Sequence, residues 1–239
     1  MRSIRPIRVP FFESETHKTK RTMKKIASFW NYFQKNEQEI VNALLLGIGT
    51  DEVLTQITKK LDNVSRRIGY IIKRPRELDD KFLIIFTGNG YRKLFEKIIA
   101  IESQAPELKH FTAQAFIKPL EVTTKYKNGT DKPWIYKNYE IKISELQIGL
   151  LDYNIATKQI KLTIYLPGYN EIRHFSDLKH NIDWIVIQII GDIAFRKHIK
   201  QIQLHQMPLE PVGLLSLIEL PEYITYLLQI SSRGRSIQI

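Results

Sequence analysis

Hydrophobic residues recur at helical spacing near the start of the chain and predict two amphipathic helices. The apolar positions of the first helix are Ile26, Phe29, Trp30, Phe33, Ile40, Val41 and Leu44, and those of the second are Leu54, Ile57, Leu61, Val64 and Ile68. A polar gap near Asn36 and Glu37 interrupts the first face, and Gly47 and Gly49 end that helix. Because only a short glycine turn joins the helices, we predict an antiparallel N-terminal helical pair.

Strand-like runs follow, and each half of the chain places them in the order strand, strand, helix, strand. The predicted strands are Ile68 to Ile72, Phe82 to Phe86, His110 to Ile117, Tyr139 to Ile143, Ile148 to Tyr153, Ile160 to Leu166 and Ile199 to His205. The predicted helices lie around Leu94 to Ile99, from Ser176 to Phe195 and from Pro221 to Gln229. No residue-level repeat accompanies this order. We predict an α+β fold with a mixed, mostly antiparallel sheet of about six or seven strands in two such units.

The positive charge of the chain is concentrated at its N-terminus. The net charge of the chain is +11 at pH 7. Residues 1 to 25 contain eight basic and two acidic side chains and so contribute +6 of this charge. Met23 offers an alternative start, in which case residues 1 to 22 are not part of the native protein. The predicted divisions are a basic, flexible N-terminal arm over residues 1 to 24, a single α+β domain over 25 to 230, and a polar tail over 231 to 239.

Composition excludes several classes of protein. The chain has no cysteine, which rules out disulfides, thiolate metal sites and cysteine nucleophiles. No apolar run approaches the roughly 18 to 20 residues that span a bilayer, and the N-terminus has no secretory apolar segment. We therefore predict a cytoplasmic protein without a membrane partner.

One turn has the form of a weak anion site. Gly88, Asn89 and Gly90 follow a predicted strand and precede a helix whose first turn carries Arg92, and amide groups at such a turn can bind an anion. Neither the dinucleotide fingerprint nor the phosphate loop ending in Gly-Lys-Ser/Thr is present, and a tight turn by itself explains the glycines.

No established catalytic or metal motif occurs in the chain. The histidine pairs are His174 with His180, six residues apart, and His198 with His205, seven apart. Neither matches the helical zinc motif. Asp192 has three interpretations: an acid or base with a perturbed pKa, a cap of a neighbouring turn, or a partner of Arg196. We predict a protein without catalytic residues, metal or cofactor.

Two binding hypotheses remain. Trp134 and Trp184 are candidate anchors for a protein partner, because aromatic side chains dominate interface energy. Alternatively, the basic arm binds nucleic acid. The arm residues that carry this hypothesis are Arg2, Arg5, Arg8, Lys18, Lys20 and Arg21. An enzyme of unrecognised class is the third possibility.

Three segments together resemble an uncharacterised bacterial domain family of the Bacteroidetes type. They are Ala105 to Leu108 followed by Phe111, Ala115 to Pro119, and Ile189 to Asp192, and the resemblance covers residues 28 to 210. The family is similar to the ribonuclease E activity regulator, a ferredoxin-like α+β fold. It more often has Gly-Glu where this chain has Gly191-Asp192. The resemblance implies a module that regulates an enzyme or neutralises a toxin by binding a protein partner.

Overall fold

A computed structural model describes residues 12 to 75 and 80 to 232, with side chains from residue 19 to 231. Contacts along the chain group into two units. The first comprises Met1–Gly88 and Lys93–Ala115, and the second comprises Asn89–Arg92 and Phe116–Ile239. The single domain over residues 25 to 230 and the tail over 231 to 239 stay predictions.

The first unit begins with three helices. They are α1 (Phe12–Lys35), α2 (Glu37–Leu46) and α3 (Thr50–Asp62). The first helix of the predicted pair breaks at Asn36, which has non-helical angles of φ −107° and ψ 13°. The side chain of Asn36 donates to the Tyr32 carbonyl at 2.7 Å, and the same carbonyl also accepts the backbone N–H of Asn36 at 3.1 Å. Residues 12 to 24 of the predicted arm are helical, and residues 1 to 11 lie outside the described residues.

A three-stranded mixed sheet completes the first unit. Its elements are β1 (Gly69–Lys73), β2 (Phe82–Thr87), α4 (Phe95–Ser103) and β3 (Phe111–Ala115). β1 is antiparallel to β2, and β3 is parallel to β2, with Ile84 opposite Ala113. Since a parallel neighbour requires a crossover, α4 carries the chain from β2 to β3.

Aromatic rings from α1 fill the core of this unit. Phe29 and Trp30 both lie edge-on to Phe86 of β2, with ring centroids 5.7 Å apart in each pair. The indole N–H of Trp30 donates to the Ile101 carbonyl at 2.8 Å, so this buried polar group is satisfied. The helical spacing of the aromatic residues thus reflects packing of α1 on the sheet.

The second unit contains a four-stranded sheet in which three strands repeat the pairing of β1, β2 and β3. Its elements are α5 (Thr124–Lys127), β4 (Trp134–Tyr136), β5 (Tyr139–Ile141), β6 (Gln147–Asn154), β7 (Gln159–Leu166), α6 (Tyr169–Ile172), α7 (Leu178–Ile190), α8 (Asp192–His198), β8 (Ile199–Gln206), β9 (Leu215–Ser216) and α9 (Leu220–Ser232). The four-stranded sheet has the order β8-β7-β6-β9. β6 is antiparallel to β7, and β8 is parallel to β7, with Leu162 opposite Ile202. The core contains the inward residues of β7 and the apolar face of α7.

The α+β class is confirmed, but the prediction of one sheet of six or seven strands is wrong. The described strands form separate sheets of three, two and four strands. In each half, the crossover helix returns the chain beside the strand that it has just left, so each half completes its own sheet. β4 and β5 pair with each other as a hairpin instead of joining either sheet.

The predicted helix from Ser176 to Phe195 is divided at Gly191, between α7 and α8. Gly191 has φ +81°, and a Cβ atom there would lie 2.8 Å from the Ile117 carbonyl oxygen. Only glycine fits so close an approach of two backbones. Of the helices that the structure describes, none is both long enough and apolar enough to cross a bilayer.

Candidate functional site

The strand β8 has an open edge. Among the described strands it pairs with β7 alone, and it lies at the end of its sheet. Along the strand, Ile202 is buried, whereas Gln201, Gln203 and His205 are exposed. Alternate residues of a strand point their N–H and C=O groups to the same edge, so about half of residues 201 to 206 offer backbone groups there. An edge of this kind is a template for pairing with another extended chain.

A groove of about 460 Å³ runs beside this edge, and we call it the β8 groove. Its lining comprises Tyr169, Arg173, Phe175, Ser176, Leu178, Lys179, Ile202, Gln203, Leu204 and His205. One wall comes from α6, the start of α7 and the turn between them, and the other comes from β8. The lining includes one histidine and no carboxylate, so it lacks a carboxylate to act with His205 in acid–base chemistry. Its composition suits binding.

Aromatic rings surround Phe175, which is half-buried at this groove. We call the set the Phe175 cluster; its members are Trp134, Tyr136, Lys137, Tyr139, His174, Phe175 and Asp177. The ring of Tyr136 meets Phe175 edge-on at 5.8 Å, and Tyr139 meets it at 6.4 Å. His174 lies 4.0 Å from Phe175, and Trp134 packs 5.4 Å from Tyr136. The β4–β5 hairpin therefore supports one wall of the β8 groove.

Polar contacts fix the hairpin to the start of α7. The buried hydroxyl of Tyr136 donates to Oδ1 of Asp177 at 2.7 Å, and Nζ of Lys137 lies 3.1 Å from the same oxygen. Burial and the bond to Asp177 raise the pKa of Tyr136 to about 12. In turn, the hydrogen bond from Tyr136 and that from Lys137 lower the pKa of Asp177. The carboxylate of Asp177 therefore stays ionised to a lower pH than an ordinary aspartate does.

Lys137 occupies a strained position in the hairpin turn. The residue has φ +56°, a conformation that side-chain-bearing residues seldom adopt. Its ammonium lies 3.7 Å from the centroid of the Phe175 ring, which is a cation–π contact. The contacts with Phe175 and Asp177 offset the cost of the turn.

The turn that the sequence singled out for anion binding contains a carboxylate of the chain itself. The amide of Gly90 donates to Oδ1 of Asp192 at 3.2 Å. Gly90 is buried, with φ +75°, and Arg92 is exposed. Gly88 belongs to the first unit and Asn89 to the second, where Asn89 has φ +47°. In the described residues, the Gly90 amide thus already has an anionic partner.

Asp192 links two loops of the second unit. Its side chain is fully buried, and Oδ2 accepts the amide N–H of Ile117 at 3.0 Å, in addition to the bond from Gly90. The backbone N–H of Asp192 donates to the Ile117 carbonyl at 3.1 Å. This geometry matches the capping interpretation of the carboxylate. The buried carboxylate of Asp192 accepts hydrogen bonds from the backbone amides of Gly90 and Ile117 and does not face a cleft.

The histidines are dispersed. His198 is buried, with Nδ1 3.1 Å from the Lys158 carbonyl oxygen, and His180 is exposed on α7. His174 belongs to the Phe175 cluster and His205 to the β8 groove. Within residues 12–75 and 80–232, no group of three or more His, Asp or Glu side chains is placed to hold a metal ion.

The predicted interface and arm residues lie in different places. Trp134 is half-buried in the Phe175 cluster, and Trp184 is half-buried on α7, outside the groove lining. Arg2, Arg5 and Arg8 lie outside the described residues. Lys18, Lys20 and Arg21 are on α1, where Lys20 and Arg21 are exposed.

A second groove, of about 480 Å³, lies in the first unit beside β1. Its lining residues are Leu44, Leu54, Thr58, Leu61, Ile68, Gly69, Tyr70 and Ile72. The Tyr70 hydroxyl donates to the Leu54 carbonyl at 2.9 Å and joins β1 to α3. This lining carries no charge by which a partner could be selected, so the β8 groove is the stronger candidate.

Sequence reasoning missed most of the β8 groove. Arg173, Phe175 and Lys179 are far from Tyr136 and Lys137 in sequence, and only the fold brings Phe175 to the hairpin. One local signal was available, since two short runs of aromatic and β-branched residues separated by two residues favour a hairpin.

Protein-family models, curated proteins and solved structures were each compared with the chain, and none of the three comparisons found a significant match. The similarity to the ribonuclease E activity regulator therefore stays a prediction.

Proposed function

We propose that this protein is a non-catalytic binding module that recognises an extended segment of a partner protein along the open edge of β8. The observation that carries the proposal is the coincidence of an unpaired strand edge with a groove of about 460 Å³ at the same strand. In this mode of recognition, main-chain hydrogen bonds supply affinity and side-chain pockets supply specificity. Partner regulation or toxin neutralisation in the cytoplasm is the role that the family resemblance implies.

One wall of the β8 groove is already ordered before a ligand binds. The Phe175 cluster fixes one wall of the groove through ring contacts, one hydrogen bond and one ion pair. A wall that is already ordered loses less conformational entropy when a ligand binds. Backbone groups at the edge gain partners when a segment adds to the sheet, and an extended segment of five residues covers roughly 17 Å of strand.

The test is selection of peptides from a random display library on the full chain, followed by affinity measurement with and without a groove-filling substitution. Ser176 is exposed and lines the groove, so Ser176→Trp obstructs it with little effect on stability. Ser28→Trp, at an exposed position of α1, is the matched control. We expect Ser176→Trp to weaken the selected peptides about tenfold or more, and Ser28→Trp to change their affinity less than about twofold. Failure to select any peptide, or equal binding by Ser176→Trp, would contradict the proposal.

A second proposal is nucleic-acid binding through the basic N-terminal segment. The observation in its favour is that Lys20 and Arg21 are both exposed on α1. Binding that depends on phosphate contacts falls steeply with salt and is lost when residues 1 to 22 are deleted. Binding that is absent, or insensitive to salt, contradicts this second proposal.

A further inference from the structure

The charges of the β8 groove indicate which segments it accepts. The lining contains two basic residues, Arg173 and Lys179, and no acidic residue. Lys179 pairs with Asp183 at 2.7 Å, one turn further along α7. Arg173 is exposed and forms no ion pair among the described residues. The groove therefore presents positive charge that is only partly neutralised within the chain.

The two cations lie on the same wall. Arg173 follows α6 directly and Lys179 is in the first turn of α7, with Phe175 and Ser176 between them in sequence. Half-buried Phe175 supplies apolar surface to the lining, above the buried side chains of Leu178 and Ile202. The groove thus combines apolar contact with positive charge along the wall that faces β8.

A segment paired with β8 places its side chains alternately on its two faces. One set meets the wall that carries Arg173 and Lys179, and the other set points away from that wall. On the basis of the proposed binding function, we infer that the segment recognised by the β8 groove is acidic, with a carboxylate side chain at every second position. Its carboxylates lie on the face toward the wall and pair with Arg173 and Lys179.

The experiment uses three capped eight-residue peptides in which valine alternates with aspartate, serine or lysine. Fluorescence anisotropy at near-physiological salt measures their affinity for the full chain, since such salt screens distant surface charges. We expect the aspartate peptide to bind about tenfold or more tightly than the lysine peptide, with the serine peptide between them.

Two charge-reversal variants test whether the preference for the aspartate peptide arises in the β8 groove. Arg173→Glu and Arg66→Glu each replace an exposed arginine and lower the net charge from +11 by two, but only Arg173 lines the groove. We expect Arg173→Glu to weaken the aspartate peptide about tenfold and Arg66→Glu to weaken it less than about threefold. Equal effects of the two variants, or equal affinity for the aspartate and serine peptides, would overturn the acidic preference while binding to the edge stands. Binding of none of the three peptides contradicts both proposals.

Discussion

The ammonium nitrogen of Lys137 lies 3.7 Å from the centroid of the Phe175 ring. This contact connects the β4–β5 hairpin to the wall of the β8 groove, because Phe175 also lines that groove. Lys137 adopts φ +56° in the turn that presents its side chain. The strained backbone of Lys137 therefore holds its side chain against Phe175 at the candidate site.

Two substitutions of Lys137 separate the effect of backbone strain on stability from the effect of the side-chain contacts. Both Lys137→Ala and Lys137→Gly remove the cation–π contact and the ion pair with Asp177, but only glycine also relieves the positive φ. We expect Lys137→Ala to lower the free energy of unfolding by about 1 kcal/mol. Lys137→Gly should be more stable than Lys137→Ala by about 1 kcal/mol. Urea unfolding of the three proteins measures both differences, and equal stability of the two variants would show that the turn is not strained.

The phenol of Tyr136 should titrate near pH 12 instead of its ordinary value of 10.0. A group whose pKa is raised in the folded state contributes stability below its unfolded pKa and loses it as pH rises through the folded pKa. The difference in unfolding free energy between the wild type and Tyr136→Phe should therefore be constant from neutral pH to pH 10 and shrink between pH 10 and 12.

Ultraviolet difference absorbance of tyrosinate tests the same assignment directly. Subtraction of the Tyr136→Phe titration from that of the wild type isolates one phenol of the eleven. A transition near pH 10 in the difference curve would contradict the buried hydrogen bond to Asp177.

Asp177 should produce the opposite pH dependence. Its pKa is lowered from 3.8, first by the hydrogen bond from Tyr136 and then by that from Lys137. A depressed carboxylate contributes stability above its unfolded pKa and loses it as pH falls through the folded value. Wild type should exceed Asp177→Asn in stability near neutral pH, by an amount that begins to fall below pH 3.8 and is lost as the pH drops through the lowered pKa of Asp177. Chemical denaturation as a function of pH measures this difference, and an advantage that grows in acid would contradict the assignment.

Asp192 should be essential for stability. Asp192→Ala leaves the amide groups of Gly90 and Ile117 without the acceptors that they have in the described structure, at a cost of about 3 kcal/mol. Asp183→Ala removes a part-exposed carboxylate with a surface ion pair, and should cost less than about 1 kcal/mol. Thermal or urea unfolding compares the two variants.

Formate provides a control that distinguishes lost anion contacts from general damage. A small carboxylate can occupy the space left in Asp192→Ala, and binding to the folded state raises its melting temperature. Formate should stabilise this variant more than the wild type. Equal responses of the two proteins would show that the amides of Gly90 and Ile117 do not form an anion site.

The local pattern of the sequence predicts the strands well, because alternating and continuous apolar runs report directly on burial. The runs at residues 82 to 86 and 160 to 166 coincide with β2 and β7 to within one residue at each end. Pairing between strands depends on where each crossover returns the chain, and this is absent from the local pattern. The prediction of a single sheet therefore fails even though most of its strands are placed correctly.

The candidate site is less predictable than the fold, since it depends on contacts between distant residues. The anion-type turn at Gly90 has a carboxylate bound to it, but that carboxylate is Asp192, about a hundred positions later. The break between α1 and α2 at Asn36 falls in the polar gap of the apolar face, where the pattern predicted one continuous helix. Local features of this kind were visible in the sequence, whereas their partners across the fold were not.

Hydrogen–deuterium exchange of the full chain, with and without the valine–aspartate peptide, measures whether a bound segment pairs with the edge of β8. If the peptide adds to the sheet, its main-chain groups bond to β8, and those amide protons of residues 201 to 206 that point to the open edge should exchange at least about tenfold more slowly. Ser176→Trp should abolish this protection, while Ser28→Trp should retain it. Peptide binding that leaves residues 201 to 206 unprotected and protects other segments would contradict recognition along the edge of β8.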